Sequence, residues 1–181
     1  MQGDFDYIFF TGSTQAGRQI AKTAGERLIP YTLELGGKSP VIIDDTADLK
    51  VSARRIVKGK FMNAGQTCIA PDYLFAHASI REKLILEMIN AIQEFYGTYT
   101  PESTDYGRII DIEAFNRLSK LIKSSKDKII YGGHSDECTL YIEPTLIVED
   151  SINSDIMQEE IFGPLLPVLE WTDINLSLIH I

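Results

Sequence analysis

Cysteine is scarce in this chain. Its 181 residues hold only Cys68 and Cys138, too few for a disulfide framework. A reducing cytoplasm is therefore the expected compartment. Positive charge is also short: 17 Lys and Arg stand against 26 Asp and Glu, a formal net charge of −9. Such a surface repels phosphate and argues against nucleic acid as a partner. No uncharged apolar run approaches the ~20 residues of a membrane span. The opening Met1–Asp6 stretch is acidic and does not read as a signal peptide. Only three histidines occur, His77, His134 and His180. None has the local setting of the base that a cysteine hydrolase needs. No metal-ligand pattern, internal repeat, low-complexity stretch or linker is visible.

What is present is ordinary globular composition, 44% hydrophobic and 24% charged, long enough for a real core. Asp6–Thr11 reads as a short buried strand running into Gly12-Ser13-Thr14. Ser13 or Thr14 caps a helix with Ile20, Ala21 and Ala24 on one face, and Pro30 ends that segment. "YTLELGG" and "PVIID" are two further strands. Leu49, Ala53, Ile56, Val57 and Phe61 follow helical spacing behind an Asp48 cap, and "YLFAH" is the next strand. Ser79 and Glu82 form a capping-box pattern before a helix carrying Ile85, Met88, Ile89, Ile92 and Phe95. Asp111 caps a helix with Phe115, Leu118 and Ile122 inward. "KIIYGG", "TLYIEPTLIV" and "PLLPVL" are later strands, with a short helix near Ser154–Glu160. Strands and helices alternate throughout, so the class is α/β.

Four stretches carry possible chemistry. In "NAGQTCIAP", Cys68 sits in a polar turn rather than on an apolar face, where a structural cysteine belongs. A thiol there can be a nucleophile once ionised, and turn amides can stabilise an oxyanion. In "LELGGKSP", Glu34 lies between leucines, a setting that raises a carboxyl toward a useful general base. The competing reading is a solvent-facing glutamate, or one paired with Lys38. "FTGSTQAG" offers helix N-terminal amides to a phosphate, although it is neither a G-x-G-x-x-G nor a Walker loop. "EEIFGP" places an acidic pair before an aromatic and a Gly-Pro turn, suited to a ribose hydroxyl or simply to a solvated helix end.

Taken together and in this order, the four stretches resemble the signature segments of the aldehyde dehydrogenase superfamily. "FDYIFFTGS" and "MNAGQTCIAPDY" look most similar to its class 3-like branch. The resemblance spans Asp4 to Trp171. It implies an aldehyde dehydrogenase-like α/β fold, with NAD or NADP as cofactor and a small-molecule aldehyde as substrate. Position by position, Cys68 matches the nucleophile and Glu34 the base that activates water for thioester hydrolysis. Gly12 and Ser13 match the loop against the cofactor pyrophosphate, and Gly17 the glycine that lets the helix approach closely. Glu160 matches the residue holding the nicotinamide ribose, and Phe162 its neighbour near the ring.

The resemblance also implies departures. Family members are much longer than 181 residues. We therefore expect a fragment: a remnant of the dinucleotide-binding domain over 1–32 and most of the thiol-bearing catalytic domain over 33–171. The upstream asparagine of the oxyanion hole is missing, and Asn63, five residues before Cys68, does not replace it. The parent is expected to be a homodimer, and a C-terminal membrane anchor stays open for it. The terminal Leu176–Ile181 stretch, "LSLIHI", back-translates to resemble the end of a transposon-derived sequencing adapter and is set aside as an artefact. Two alternatives stand beside the leading one. A coenzyme A-acylating dehydrogenase is disfavoured by Glu34, because hydrolysis needs the carboxylate. A truncated, inactive chain with at most a binding role is the other.

Overall fold

The computed structural model describes residues 3–173, and the terminal Leu176–Ile181 segment lies outside them. The chain divides into two compact units, with the break after Gly37.

The first unit is one βαβ layer. Strand β1 (Ile8–Thr11) pairs in parallel with β2 (Tyr31–Glu34), Thr11 opposite Glu34. Between them runs α1 (Thr14–Glu26), whose N-terminus is capped by the Ser13 hydroxyl accepting from Ala16 N–H at 3.2 Å. Leu33 and Leu35 turn toward the helix, where a Cβ on Gly17 would come within 2.7 Å of Leu35 Cδ2. Phe10, in register with Leu33, shares that face. Phe9 points the other way and is 68% exposed. Only Gly17 and Ala24 are buried among the described residues of this unit.

The second unit holds the main core. Strands β3 (Pro40–Ile43) and β4 (Tyr73–His77) are joined through α2 (Leu49–Phe61), which starts behind the Asp48 carboxylate accepting from Val51 N–H at 3.0 Å. Then come α3 (Arg81–Tyr96), α4 (Ile112–Ser124) and β5 (Ile129–Tyr131). A hairpin of β6 (Ser135–Asp136) and β7 (Tyr141–Ile142) precedes β8 (Thr145–Val148), α5 (Asp155–Gln158) and β9 (Leu165–Trp171). The sheet order is β3-β4-β9-β8-β5, parallel except for β5. Ala53, Val57 and Phe61 of α2 and Leu84, Met88 and Ile92 of α3 are fully buried, as helical spacing required. Trp171 closes the far end of β9, its indole N–H on the Ile43 carbonyl at 3.2 Å and its ring edge-on to His77 at 4.9 Å.

Three local expectations need correction. The Ser79–Glu82 capping box does not form: α3 begins at Arg81 behind Ile80, and the Ser79 hydroxyl bonds His77 Nδ1 at 2.8 Å instead. "TLYIEPTLIV" is two strands. Pro144 has no N–H to donate, and across it the chain changes partners, Glu143 N–H bonding His134 O while Thr145 N–H bonds Pro164 O. The short helix ends at Gln158, so Glu159 and Glu160 follow it in extended chain.

Candidate functional site

In the first unit the parallel strands β1 and β2 end side by side, and their ends are tied by Gly12 N–H donating to Glu34 O at 3.1 Å. Gly12, Ser13 and Glu34 therefore share the carboxyl edge of this small sheet, where ligands of parallel α/β sheets bind. The N-terminus of α1 suits an anion. Its cap is a neutral serine and its first turn holds no acidic residue, whereas α2 and α4 are capped by aspartates and α3 carries Glu82 in its first turn. Helix amides and dipole thus face no carboxylate of their own there. The close seat of Gly17 on Leu35 lets the helix start reach the strand ends. These residues fit the pyrophosphate of a dinucleotide. The Glu34 side chain is exposed.

In the second unit Cys68 is an exposed free thiol. It occupies a corner of the turn that Ala70 N–H closes on Thr67 O at 3.0 Å, so its own N–H is not spent in that closure. The turn is held from both sides. Upstream, Asn63, Ala64 and Gly65 all have positive φ. Gln66 then anchors the chain: its side-chain amide donates to Asn63 O at 3.0 Å and Arg108 O at 2.9 Å and accepts from Ile110 N–H at 2.9 Å. At Gly65 a Cβ would overlap the Gly163 carbonyl, so only glycine allows the thiol loop to meet the "EEIFGP" loop. Five described non-glycine residues have positive φ, and three of them, Asn63, Ala64 and Phe162, lie in these two loops. Such strain is stored where function over-determines the backbone.

The backbone around Glu160 is clamped by side chains from distant segments. Lys38 Nζ pairs with Asp72 Oδ2 at 2.5 Å and donates to Ile156 O at 3.2 Å and Glu159 O at 3.0 Å. Asp72 Oδ1 accepts from Ile161 N–H at 2.9 Å. Arg117 reaches Ile161 O at 2.6 Å and Glu160 O at 3.5 Å. Lys38 is thus the partner of Asp72, which answers the suggestion that it pairs with Glu34. Phe162, 39% exposed, projects from the clamped segment. Gln66, Asp72 and Arg117 were not singled out from sequence. Asp72 carried one signal: a carboxylate at the mouth of a largely apolar strand needs a partner. Among the described residues no group of three or more His, Cys, Asp and Glu is placed to hold a metal ion. No helix among them is long and apolar enough to cross a membrane.

The second unit presents an exposed thiol beside the clamped acidic–aromatic loop, and the first unit carries a glycine-serine helix start and a glutamate at one sheet edge. The aldehyde dehydrogenase family pattern matches residues 1–178, and the chain belongs to that family. It is 50% identical over 178 residues to the 4,4'-diaponeurosporen-aldehyde dehydrogenase of Staphylococcus aureus, covering 97% of this chain and 39% of that protein. It is 46% identical over 165 residues to the dimeric NADP-preferring aldehyde dehydrogenase of Canis lupus familiaris, covering 91% and 36%. Among solved structures, the substrate-bound state of Staphylococcus aureus AldH superposes with a TM-score of 0.94 at 49% identity, covering 97% of this chain and 38% of that one. A Mycobacterium tuberculosis aldehyde dehydrogenase complexed with NAD+ gives 0.87 at 29% identity, covering 97% and 38%. The chain thus spans about two fifths of the length of these relatives.

Proposed function

We propose that these residues carry out NAD(P)-dependent oxidation of an aldehyde to a carboxylic acid. The observation that carries the proposal is the Gly65–Gly163 contact, which sets the Cys68 turn against the clamped Glu160–Phe162 segment. The Cys68 thiolate attacks the carbonyl carbon and forms a C–S bond, giving a thiohemiacetal whose oxyanion the Cys68 N–H is free to meet. Glu160 would hold the nicotinamide ribose, Phe162 would pack by the ring, and Gly12, Ser13 and Gly17 would seat the pyrophosphate on α1, so that the bound cofactor would supply the hydride acceptor for the carbon held on Cys68. The carbon is left as a thioester on Cys68. Glu34 takes a proton from water, the hydroxide attacks, the C–S bond breaks and the acid leaves. One water is consumed and the thiol is restored. A coenzyme A-acylating reaction would not need that carboxylate.

The cofactor reading is supported by relatives named as NADP-preferring or solved with NAD+. The homodimer reading is supported by a relative named as dimeric, and the acidic, cysteine-poor sequence supports a cytoplasmic site of action. The decisive experiment uses a full-length enzyme carrying these residues. Glu34→Gln should give one burst of reduced cofactor and then turnover slowed on the order of 10²–10⁴-fold, with an acyl mass retained on Cys68. Steady turnover at the unmodified rate would remove Glu34 from this role. By itself the 181-residue chain is expected to be inactive, because its first unit offers the dinucleotide a single βαβ layer. Cys68-dependent reduction of cofactor by the purified chain would overturn that expectation.

A further inference from the structure

The backbone reaches Cys68 out of a run of left-handed residues. Asn63 and Ala64 stand at φ 53° and 51°, and Gly65 at 75°. L-residues avoid that region, so such a run holds only where its neighbours over-determine it. Gln66 supplies the hold. Its side-chain amide spends both hydrogens, on Asn63 O and Arg108 O, and its oxygen accepts from Ile110 N–H. Two of these three bonds end on the 107–110 segment, which belongs to no helix or strand. Gly107 of the same segment lies against the left-handed run, where a Cβ would stand 3.5 Å from Ala64 N.

What shapes that segment is the side chain of Arg108. Its guanidinium donates to Pro101 O at 2.7 Å and to Tyr106 O and Gly107 O at 3.2 Å. It also lies over the buried Tyr141 ring, 5.0 Å from the centroid. The Tyr106 hydroxyl donates to Ile142 O and Ile109 N–H to Leu140 O, both at 2.9 Å, which fastens the segment to the β6–β7 hairpin. Residues 108–110 are thus a strut, tied to the hairpin at Ile109 and to Gln66 at Arg108 O and Ile110 N–H. The three guanidinium bonds all go to main-chain carbonyls of one short loop, so this charge fixes the shape of the loop rather than joining layers of the core. We propose that Arg108 is a positioning residue for the Cys68 thiol, acting through Gln66: it sets the main-chain groups that Gln66 grips, and so fixes where the sulfur stands. The role rests on the reading of Cys68 as the nucleophile.

The test is a double-mutant cycle in the full-length enzyme with Arg108→Met, Gln66→Met and the pair, read by the rate of cofactor reduction in a single turnover. Each single substitution should slow that rate roughly tenfold to a hundredfold, the scale of an ångström-sized misplacement. Cofactor KM should stay unchanged, because the main chain around Glu160 is clamped separately by Lys38, Asp72 and Arg117. The pair should be no slower than the slower single, since both act along one path. Arg108→Lys should recover part of the rate, because an ammonium lacks the planar fork that spans the carbonyls. A merely structural arginine would lower the melting temperature and leave the single-turnover rate per folded molecule unmoved. Met88→Ala, a cavity in the buried face of α3, is the control for that behaviour. An unchanged rate in Arg108→Met, or losses that multiply in the pair, would overturn the inference. If Arg108→Met does not fold, Gln66→Met decides alone, and a full rate there removes the link through which Arg108 acts. If Cys68→Ser keeps its single turnover, the nucleophile reading falls and this inference with it. If Cys68→Ser loses it while the Arg108 and Gln66 variants keep theirs, only this inference falls.

Discussion

The two units bury their sheets very differently. In the five-stranded sheet, the first five residues of β9 are buried in succession, as parallel strands covered on both faces should be. In the two-stranded sheet, β1 alternates between half-buried and exposed, with Phe9 open to solvent on the face α1 does not cover. Both strands read as apolar in sequence. The difference teaches where each set of functional groups gets its order. Gly12, Ser13 and Glu34 are placed by one helix cap and one pair of strand ends, within 23 residues of sequence. Cys68 and Glu160 are placed by long-range ties, such as Asp72 to Ile161 across 89 positions.

That contrast can be tested by damage. Cys68→Ser in the full-length enzyme should remove activity by roughly 10⁴–10⁶-fold, the scale of losing a nucleophile. Cys138→Ser should leave the rate unchanged. A reversal of the two would move the chemistry away from the Cys68 turn. Gly65→Ala adds a left-handed penalty to overlap with the Gly163 backbone. It should destabilise the chain by about 2–4 kcal/mol in urea melts. Gly25→Ala in the last turn of α1 meets nothing within 4 Å. There alanine should stabilise by about 0.5–1 kcal/mol. Equal and small effects at the two glycines would mean the thiol loop is not locked.

A further test is the pH dependence of stability from Lys60, which is fully buried in the last turn of α2. Its folded pKa is about 8, against 10.5 for the free side chain. Below pH 8 the lysine is charged in both folded and unfolded chains, and the fold bears the full cost, about 3 kcal/mol. As pH rises from 8 toward 10 the folded lysine sheds its proton while the unfolded one keeps it, so stability should climb. Above that range the buried tyrosines act in the opposite sense, because burial raises Tyr106 and Tyr141 and makes their ionisation favour the unfolded chain. Chemical denaturation between pH 7 and 10 checks this, and Lys60→Met should abolish the climb.

Much of this architecture is written locally. Asp48 and the apolar spacing of Leu49–Phe61 define α2, and Asp111 with Phe115, Leu118 and Ile122 defines α4. The Cys68 turn was legible from residue type alone, and the α1 cap was narrowed to Ser13 or Thr14, of which the fold uses Ser13. Three things were not. Ser79 looked like a cap, but a nearby histidine offered its hydroxyl a better partner. The Glu143–Pro144 break depends on which strands lie alongside. The partner of Lys38 is set by the fold, because local pattern carries no information about a contact 34 residues away. Lys60 did leave a trace, since it falls on the apolar stripe of α2 at the spacing of Ile56 and Val57.

Trp171 is the chain's single tryptophan, and it is fastened to β3 and packed on the ring that ends β4. Its emission is therefore a one-point optical gauge of the five-stranded sheet. The βαβ layer of the first unit has no indole at all. Fluorescence melting will be blind to fraying there, whereas far-ultraviolet dichroism will register the loss of α1. Any gap between the two transition curves will measure how independently the two units come apart.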